Sequence, residues 1–381
     1  MGPGTGIRRP AFLLVSLLVV FPTPWHAAAQ DTGESEGDPR SGWVDGSFFL
    51  ESADGAFRLT FGGRVQPRYQ FDQPLEGEST SSFFLRRVRL DVQGHLFDDR
   101  LTFRVMPELA RTATLRDGWV NYAFGPMLQV RTGQLVVPFH WHRFMSGNRQ
   151  QFAERSVPSE TFGFPNGYDV GVALHGRNPE NTLSYGVGLF DGAGRNVRES
   201  NSAGNMASGR ITWAPVGELP REEPDQRHSE ELGVSLGMGL QAASRNEARA
   251  WDLGRSTAGN SRADWIAATG DVSVRRRGAS AFVEGYLRRV RPDDPDVGTY
   301  SGVAHTLGAG YFVVPRRYEI VGRRSELWLD RQAAGTRVRQ VGLGVNAYHQ
   351  GHLWKTHVQF FRTSTPLGDA DAFLVQLHLA F

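Results

Sequence analysis

The sequence predicts an all-β fold, a transmembrane antiparallel β-barrel of about sixteen strands. Three observations carry this. Long stretches alternate apolar and polar residues, the connections between them alternate short and long, and the mature chain has no apolar run long enough for a transmembrane helix. The clearest stretch is FRLTFGGRVQPRYQF at 57–71. Phe57, Leu59, Phe61, Val65, Tyr69 and Phe71 fall on odd positions, and Arg58, Thr60, Arg64, Gln66, Arg68 and Gln70 on even ones. Side chains along a strand point alternately to opposite faces, so this is one strand with an oily face and an arginine face. At about 3.3 Å per residue it reaches roughly 50 Å, long for a globular strand and suited to a tilted membrane crossing with overhang.

The later strands repeat the pattern. Over 83–97, Val88, Leu90, Val92 and Leu96 oppose Arg87, Arg89, Asp91, Gln93 and His95; past a turn at Asp98-Asp99, Leu101, Phe103 and Val105 oppose Thr102, Arg104 and Glu108. Strands follow at 117–124 and 128–137, then a longer, weakly alternating segment at 138–167. Further strands read at 168–175, 182–190, 207–213 and 232–241, with a polar, proline-bearing connection at 215–230. Turns at 276–278, 315–316 and 350–351 separate the rest, and the last strand alternates from Asp371 to Phe381. Sixteen strands in the mature chain allow roughly 22 residues for each strand and its connection, as transmembrane strands of about ten residues require.

The short turns at 98–100, 125–126, 276–278, 315–316 and 350–351 all fall on one side, periplasmic if the mature N-terminus is periplasmic. The 215–230 segment is the one long exception on that side. Two soluble sandwich domains linked at 215–230 would use the same strands, but nothing in a sandwich demands such sidedness. Tyr69 and Phe71 are expected near the outer headgroups.

Composition narrows the chemistry. The chain has 381 residues, 45 Gly, no Cys and a formal charge of +2, so it has no disulfide framework and gives no global case for nucleic acid. All but one of its 42 basic residues are arginine, Lys355 being the single lysine. Either base composition or oxyanion recognition accounts for that bias, since the guanidinium fork binds oxyanions bidentately. Residues 1–29 read as a signal peptide: Arg8 and Arg9, an apolar run at 11–21, and Ala27-Ala28-Ala29 before Gln30. Residues 30–45 read as a flexible lead-in and 46–381 as the barrel.

Several motifs together resemble the phosphate-selective porin O and P family. They are GSFFLESADGAFRLTFGGRVQ, FFLRRVRLDVQG, DGWVNYAFGPMLQVRTGQLVVPF, AERS at 153–156 and YHQGHLWKTHVQF. The resemblance spans about 46–381. It implies a sixteen-stranded trimeric outer-membrane channel with an inward-folded third loop, here 138–167, and an arginine-lined lumen passing phosphate or other small anions. The barrel assembly machinery and outer-membrane lipid are its implied partners; no cofactor is implied. On this reading Arg64, Arg68, Arg87 and Arg89 form the basic wall, joined by Arg58, Arg104 and Arg131 on the same polar faces. Arg143, Arg149 and Arg155 lie on the constriction loop. Asp117 matches the family's acidic position. Val136 stands where relatives often carry lysine, and a lone Lys355 cannot form the lysine clusters of phosphate-specific members.

Guanidinium groups can replace the hydrogen bonds that an anion loses on entering a pore. The same arginines could instead pair with Asp91, Glu108 or Glu284 and stiffen the wall. Gly237, Gly239, Gly342 and Gly344 on polar faces leave room for a channel or inserted loop, or ease strand curvature. His140 and His142 lack a third ligand, so no metal is assigned. Without a G-x-S-x-G, H-E-x-x-H or phosphate-binding loop the chain is read as a non-enzyme, an anion porin. A barrel hydrolase and a structural or adhesive surface barrel are the alternatives.

Overall fold

A computed structural model describes residues 38–44, 46–163, 167–197, 204–247, 262–296, 298–330 and 336–381. The signal peptide read over 1–29 lies outside them. A hairpin, β1 (Arg40–Val44) and β2 (Ser47–Glu51), precedes the barrel strands. These are β3 (Arg58–Gln73), β4 (Thr80–Leu96), β5 (Asp98–Glu108), β6 (Thr114–Gly125), β7 (Leu128–Val136), β8 (Tyr168–Arg177), β9 (Leu183–Phe190) and β10 (Met206–Val216). Then come β11 (Gly233–Glu247), β12 (Arg262–Arg276), β13 (Ala279–Pro292), β14 (Tyr300–Val314), β15 (Tyr318–Leu329), β16 (Thr336–Gln350), β17 (Trp354–Thr365) and β18 (Gly368–Ala380). Each of β3 to β18 pairs antiparallel with the next, and β18 returns to β3 with Phe373 opposite Phe71 and Ala380 opposite Arg64. The closed ring has sixteen strands and no open edge.

The start of β3 extends past the end of β18. Phe381 and Gly63 exchange backbone hydrogen bonds there, and β2 takes the remaining edge, with Phe48 opposite Phe61 and Glu51 opposite Arg58. The hairpin corrects the reading of 30–45 as flexible throughout: Arg40–Val44 is a strand, with Trp43 opposite Phe48 and Arg40 bonded to Glu51 at 2.5 Å. The β3 edge that orders it cannot be read from residues 30–45 themselves.

The two faces separate as the alternation demands. Phe61, Phe71, Leu90, Val172, Leu240, Leu343 and Leu379 are exposed, while Arg64, Gln66 and Arg68 are buried. An apolar exterior around a polar interior is the reverse of a soluble sandwich and removes the two-domain alternative. Aromatic side chains gather at both rims. On the loop side Tyr69 packs on Phe83 with centroids 4.8 Å apart; on the turn side Phe57 meets Phe97 at 5.5 Å and Tyr122 meets Phe124 at 4.9 Å.

Among the bulges in the wall, two interrupt the alternation of the arginine-bearing strands beside a proline. Gln66 pairs with Arg87 and Pro67 with Leu85, leaving Arg86 as the extra residue; Met106 pairs with Asp117 and Pro107 with Leu115, leaving Arg116. Proline has no N–H to give the ladder, so pairing slips by one residue there. Each slip brings an additional arginine to the inner face.

The segment between β10 and β11 is not a domain linker. It runs across the turn-side mouth. Leu219 N–H donates to Asn181 O at 2.8 Å, and Glu222 bonds His352 at 2.7 Å. Asp225 accepts from Gly278 N–H at 2.8 Å, and Arg316 donates to Arg227 O at 3.3 Å. Four separate turns thus hold one strap.

Candidate functional site

The lumen is divided by the segment that follows β7. It carries two short helices, α1 (Trp141–Phe144) and α2 (Val157–Phe162), the latter capped by Ser156 Oγ accepting from Ser159 N–H. Its backbone is held by inward side chains across the ring. Ser208 donates to Pro138 O at 2.6 Å, Arg210 to Phe139 O at 3.2 Å and Lys355 to Gln150 O at 3.0 Å. Asn346 donates to Gln151 O at 2.8 Å and Arg288 to Phe162 O at 2.5 Å. Phe139 and Phe162 join Trp265 and Tyr286 in one buried cluster. The loop therefore covers the inner faces of β10 to β17.

Glycines make this docking possible. A Cβ at Gly239 would lie 2.1 Å from Phe139 O, and one at Gly310 would lie 2.0 Å from Gln151 Nε2. Of the four polar-face glycines read from sequence, Gly239 and Gly342 meet the inserted loop, at Phe139 and Phe152, while Gly237 and Gly344 meet atoms of the wall itself.

The loop leaves the arginine-bearing faces of β3 to β6 opposite it. A loop-side cavity of about 410 Å³ includes Arg68, Arg86 and Glu154; a turn-side cavity of about 130 Å³ includes Arg64, Arg89 and Arg104. Gln66 and Arg87 are buried between them on the same wall.

The ten arginines read from sequence fall into three groups. Five pair with acids: Arg104 with Asp91 at 2.7 Å, Arg89 with Glu108 at 2.6 Å, Arg68 and Arg87 with Glu154 at 2.5 and 3.2 Å, and Arg143 with Glu160 at 3.3 Å. Arg64, Arg131 and Arg155 make no ion pair among the described residues. Arg64 makes no side-chain hydrogen bond there either; Arg131 lies 4.1 Å over the Trp119 ring, and Arg155 donates to His142 O and Met145 O at 3.0 and 3.1 Å. The other two stand elsewhere: Arg58, at the start of β3, is tied to the hairpin through Glu51 at 3.1 Å, and Arg149 is exposed towards the turn-side strap.

Sequence reasoning missed Arg86 and Arg116 because alternation places them outward. Pro67 and Pro107 were the available signal. Arg116 lies 4.7 Å over the Tyr168 ring and, with Arg64 and Arg87, is among the like-charged neighbours of Arg89. Burial, and then the nearby Arg143, pull the Arg155 guanidinium down to about 9. Positive charge on this side of the loop is thus only partly compensated.

The opposite half of the lumen is structural. His142 joins three parts of the chain, with Nε2 3.0 Å from Glu223 on the strap and Nδ1 3.5 Å from Glu284 on β13. Arg210 is paired with Asp271 at 2.8 Å, both fully enclosed. Removing one partner of such a pair strands the other charge, so Asp271→Ala is expected to lower stability by roughly 3 kcal/mol. Urea titration of the refolded barrel in detergent would check this.

Comparison with known proteins agrees with this architecture. No curated protein matches the chain. Among solved structures, the anion-selective porin from Comamonas acidovorans is 15% identical, with a TM-score of 0.60 over 85% of this chain and 99% of that one. A loop-deletion mutant of OmpT, an outer membrane protein of Vibrio cholerae, is 12% identical, with a TM-score of 0.61 over 86% and 100%. In-vitro folded OmpT in its trimer form is 13% identical, with a TM-score of 0.56 over 86% and 100%. At such identities the likeness speaks to the fold. The model of the phosphate-selective porin O and P family matches residues 59–276, more than half of the sequence. The chain belongs to that family and is a porin of the bacterial outer membrane.

Proposed function

We propose that this porin passes small anions, phosphate among them, by passive diffusion along the arginine wall of β3 to β6. The observation that carries the reading is Arg64 beside Arg116, both turned to the lumen and neither ion-paired among the described residues. A passing anion offsets their charge and regains hydrogen bonds lost with its water; a cation meets repulsion. Arg89 and Arg104, neutralised by Glu108 and Asp91, contribute oriented donors more than net charge.

The reading is anion preference rather than strict phosphate selection. Lys355 is fully buried and bonded to Gln150 O, so it anchors the loop instead of facing the path. The protein is read as an exported homotrimer, its signal peptide removed and its oily face against lipid or neighbouring subunits. Reversal potentials across planar bilayers in a potassium chloride gradient test the proposal. An anion-selective sign is expected; a cation-selective sign overturns it.

A further inference from the structure

Glu154 sits in a cage of arginines. Its Oε1 accepts from Arg68 Nη2 and Arg86 Nε, both at 2.5 Å; its Oε2 accepts from Arg86 Nη2 at 2.9 Å and Arg87 Nη2 at 3.2 Å. Arg111, Arg155 and Arg323 line the same 410 Å³ cavity, which holds five guanidinium groups and one carboxylate. Burial alone would raise the Glu154 carboxyl, but Arg87, Arg68 and Arg86 outweigh it and hold it well below the usual carboxylate range.

The loop does not depend on this side chain for docking here. Arg323 donates to Glu154 O at 2.7 Å, and Gln359 accepts from Ala153 N–H at 3.0 Å. The backbone is thus fixed on both sides of the carboxylate. The cage itself is a product of the bulge at Pro67, because regular pairing would turn Arg86 outward.

We propose that Glu154 is a tethered counter-anion: it occupies a three-arginine oxyanion site on the loop side of the lumen, and phosphate or sulfate binds there by displacing it. The proposal rests on the anion-passage reading and names one station on that path. Three convergent guanidinium groups with no carboxylate among them would hold a divalent oxyanion long enough to block the lumen. A carboxylate on a two-methylene stem competes at high effective concentration and shortens the stay. Ready release is what conduction needs. Monovalent chloride, with no oxygens to match to the guanidinium forks, gains least from this geometry.

The test is inhibition of chloride current by inorganic phosphate, normalised to each channel's own chloride conductance. Losing the tethered competitor in Glu154→Gln is expected to lower the half-inhibitory phosphate concentration about tenfold relative to wild type. Adding Arg86→Ala to that variant should reverse the gain. Glu154→Asp keeps the charge on a shorter stem and should fall between; it also serves if the glutamine variant fails to assemble. Equal inhibition constants in an anion-selective wild type and in these variants would overturn the proposal. A cation-selective wild type would instead defeat the passage reading. Calorimetric titration of Glu154→Gln with phosphate in detergent would still report the site, and no tighter binding than wild type would overturn it as well.

Discussion

Replacing Arg64 and Arg116 together with alanine is expected to lower the anion-over-cation permeability ratio by tenfold or more. At about 10 Å and an effective dielectric constant near 20, a unit charge acts on a passing ion with roughly 1.7 kcal/mol. Anion and cation feel opposite signs, so each lost charge counts twice in the ratio. A fourfold reduction by screening still leaves about 1.7 kcal/mol for the pair, roughly 16-fold. Neither arginine has an acidic partner among the described residues, so the change strands no carboxylate and assembly should survive. Arg87→Ala with Arg89→Ala removes the same formal charge but uncages Glu154 and frees Glu108, mixing selectivity with structure. Reversal potentials of the Arg64 and Arg116 double variant decide the matter. An unchanged ratio would move the ion path away from this wall.

The fold was legible because a barrel wall forces one solvent on each face. Phe61 and Phe71 meet the outside while Arg64 and Arg68 meet the inside, and that period of two stands plainly in the sequence. It was lost wherever pairing slips. Arg86 and Arg116 read as outward until Pro67 and Pro107 are recognised as ladder breaks on the neighbouring strands. The β1–β2 hairpin was missed for another reason: its order comes from an edge of β3 some ten residues on.

The candidate site was legible only in part, because charge and compensation are different quantities. Alternation identifies Arg64, Arg89 and Arg104 equally. Only the folded chain distinguishes Arg64, unpaired, from Arg89 and Arg104, which meet Glu108 and Asp91. Glu154 lay within the AERS motif, yet its partners come from β3 and β4, more than sixty residues earlier. The strap between β10 and β11 shows the same limit. A polar, proline-bearing connection reads as a linker when its four supporting turns are dispersed through the sequence.

The inserted loop yields the other large effect. Gly239→Val is expected to raise single-channel conductance at least twofold by lifting the start of the loop from the wall. Gly239 pairs with Arg210 across β10 and β11, and Arg210 donates to Phe139 O at 3.2 Å. A Cβ at 239 would lie 2.1 Å from that same oxygen and 2.9 Å from its carbon, both backbone atoms that no rotamer can move aside. The carbonyl must retreat, the Arg210 bond goes with it, and Phe139 leaves its cluster with Phe162 and Tyr286. Loss of a buried phenylalanine from a packed cluster costs about 3 kcal/mol, enough to undo local docking while sixteen paired strands persist. Gly322→Val is the matched control. Its Cβ would point outward, 3.7 Å from Leu343 Cδ2, in ordinary contact. Strand propensity favours valine at both positions, so propensity alone predicts two silent changes. A conductance jump at 239 with none at 322 would place the loop against β11 as the element that narrows the channel. Two silent variants would mean that the flow of ions does not depend on that contact.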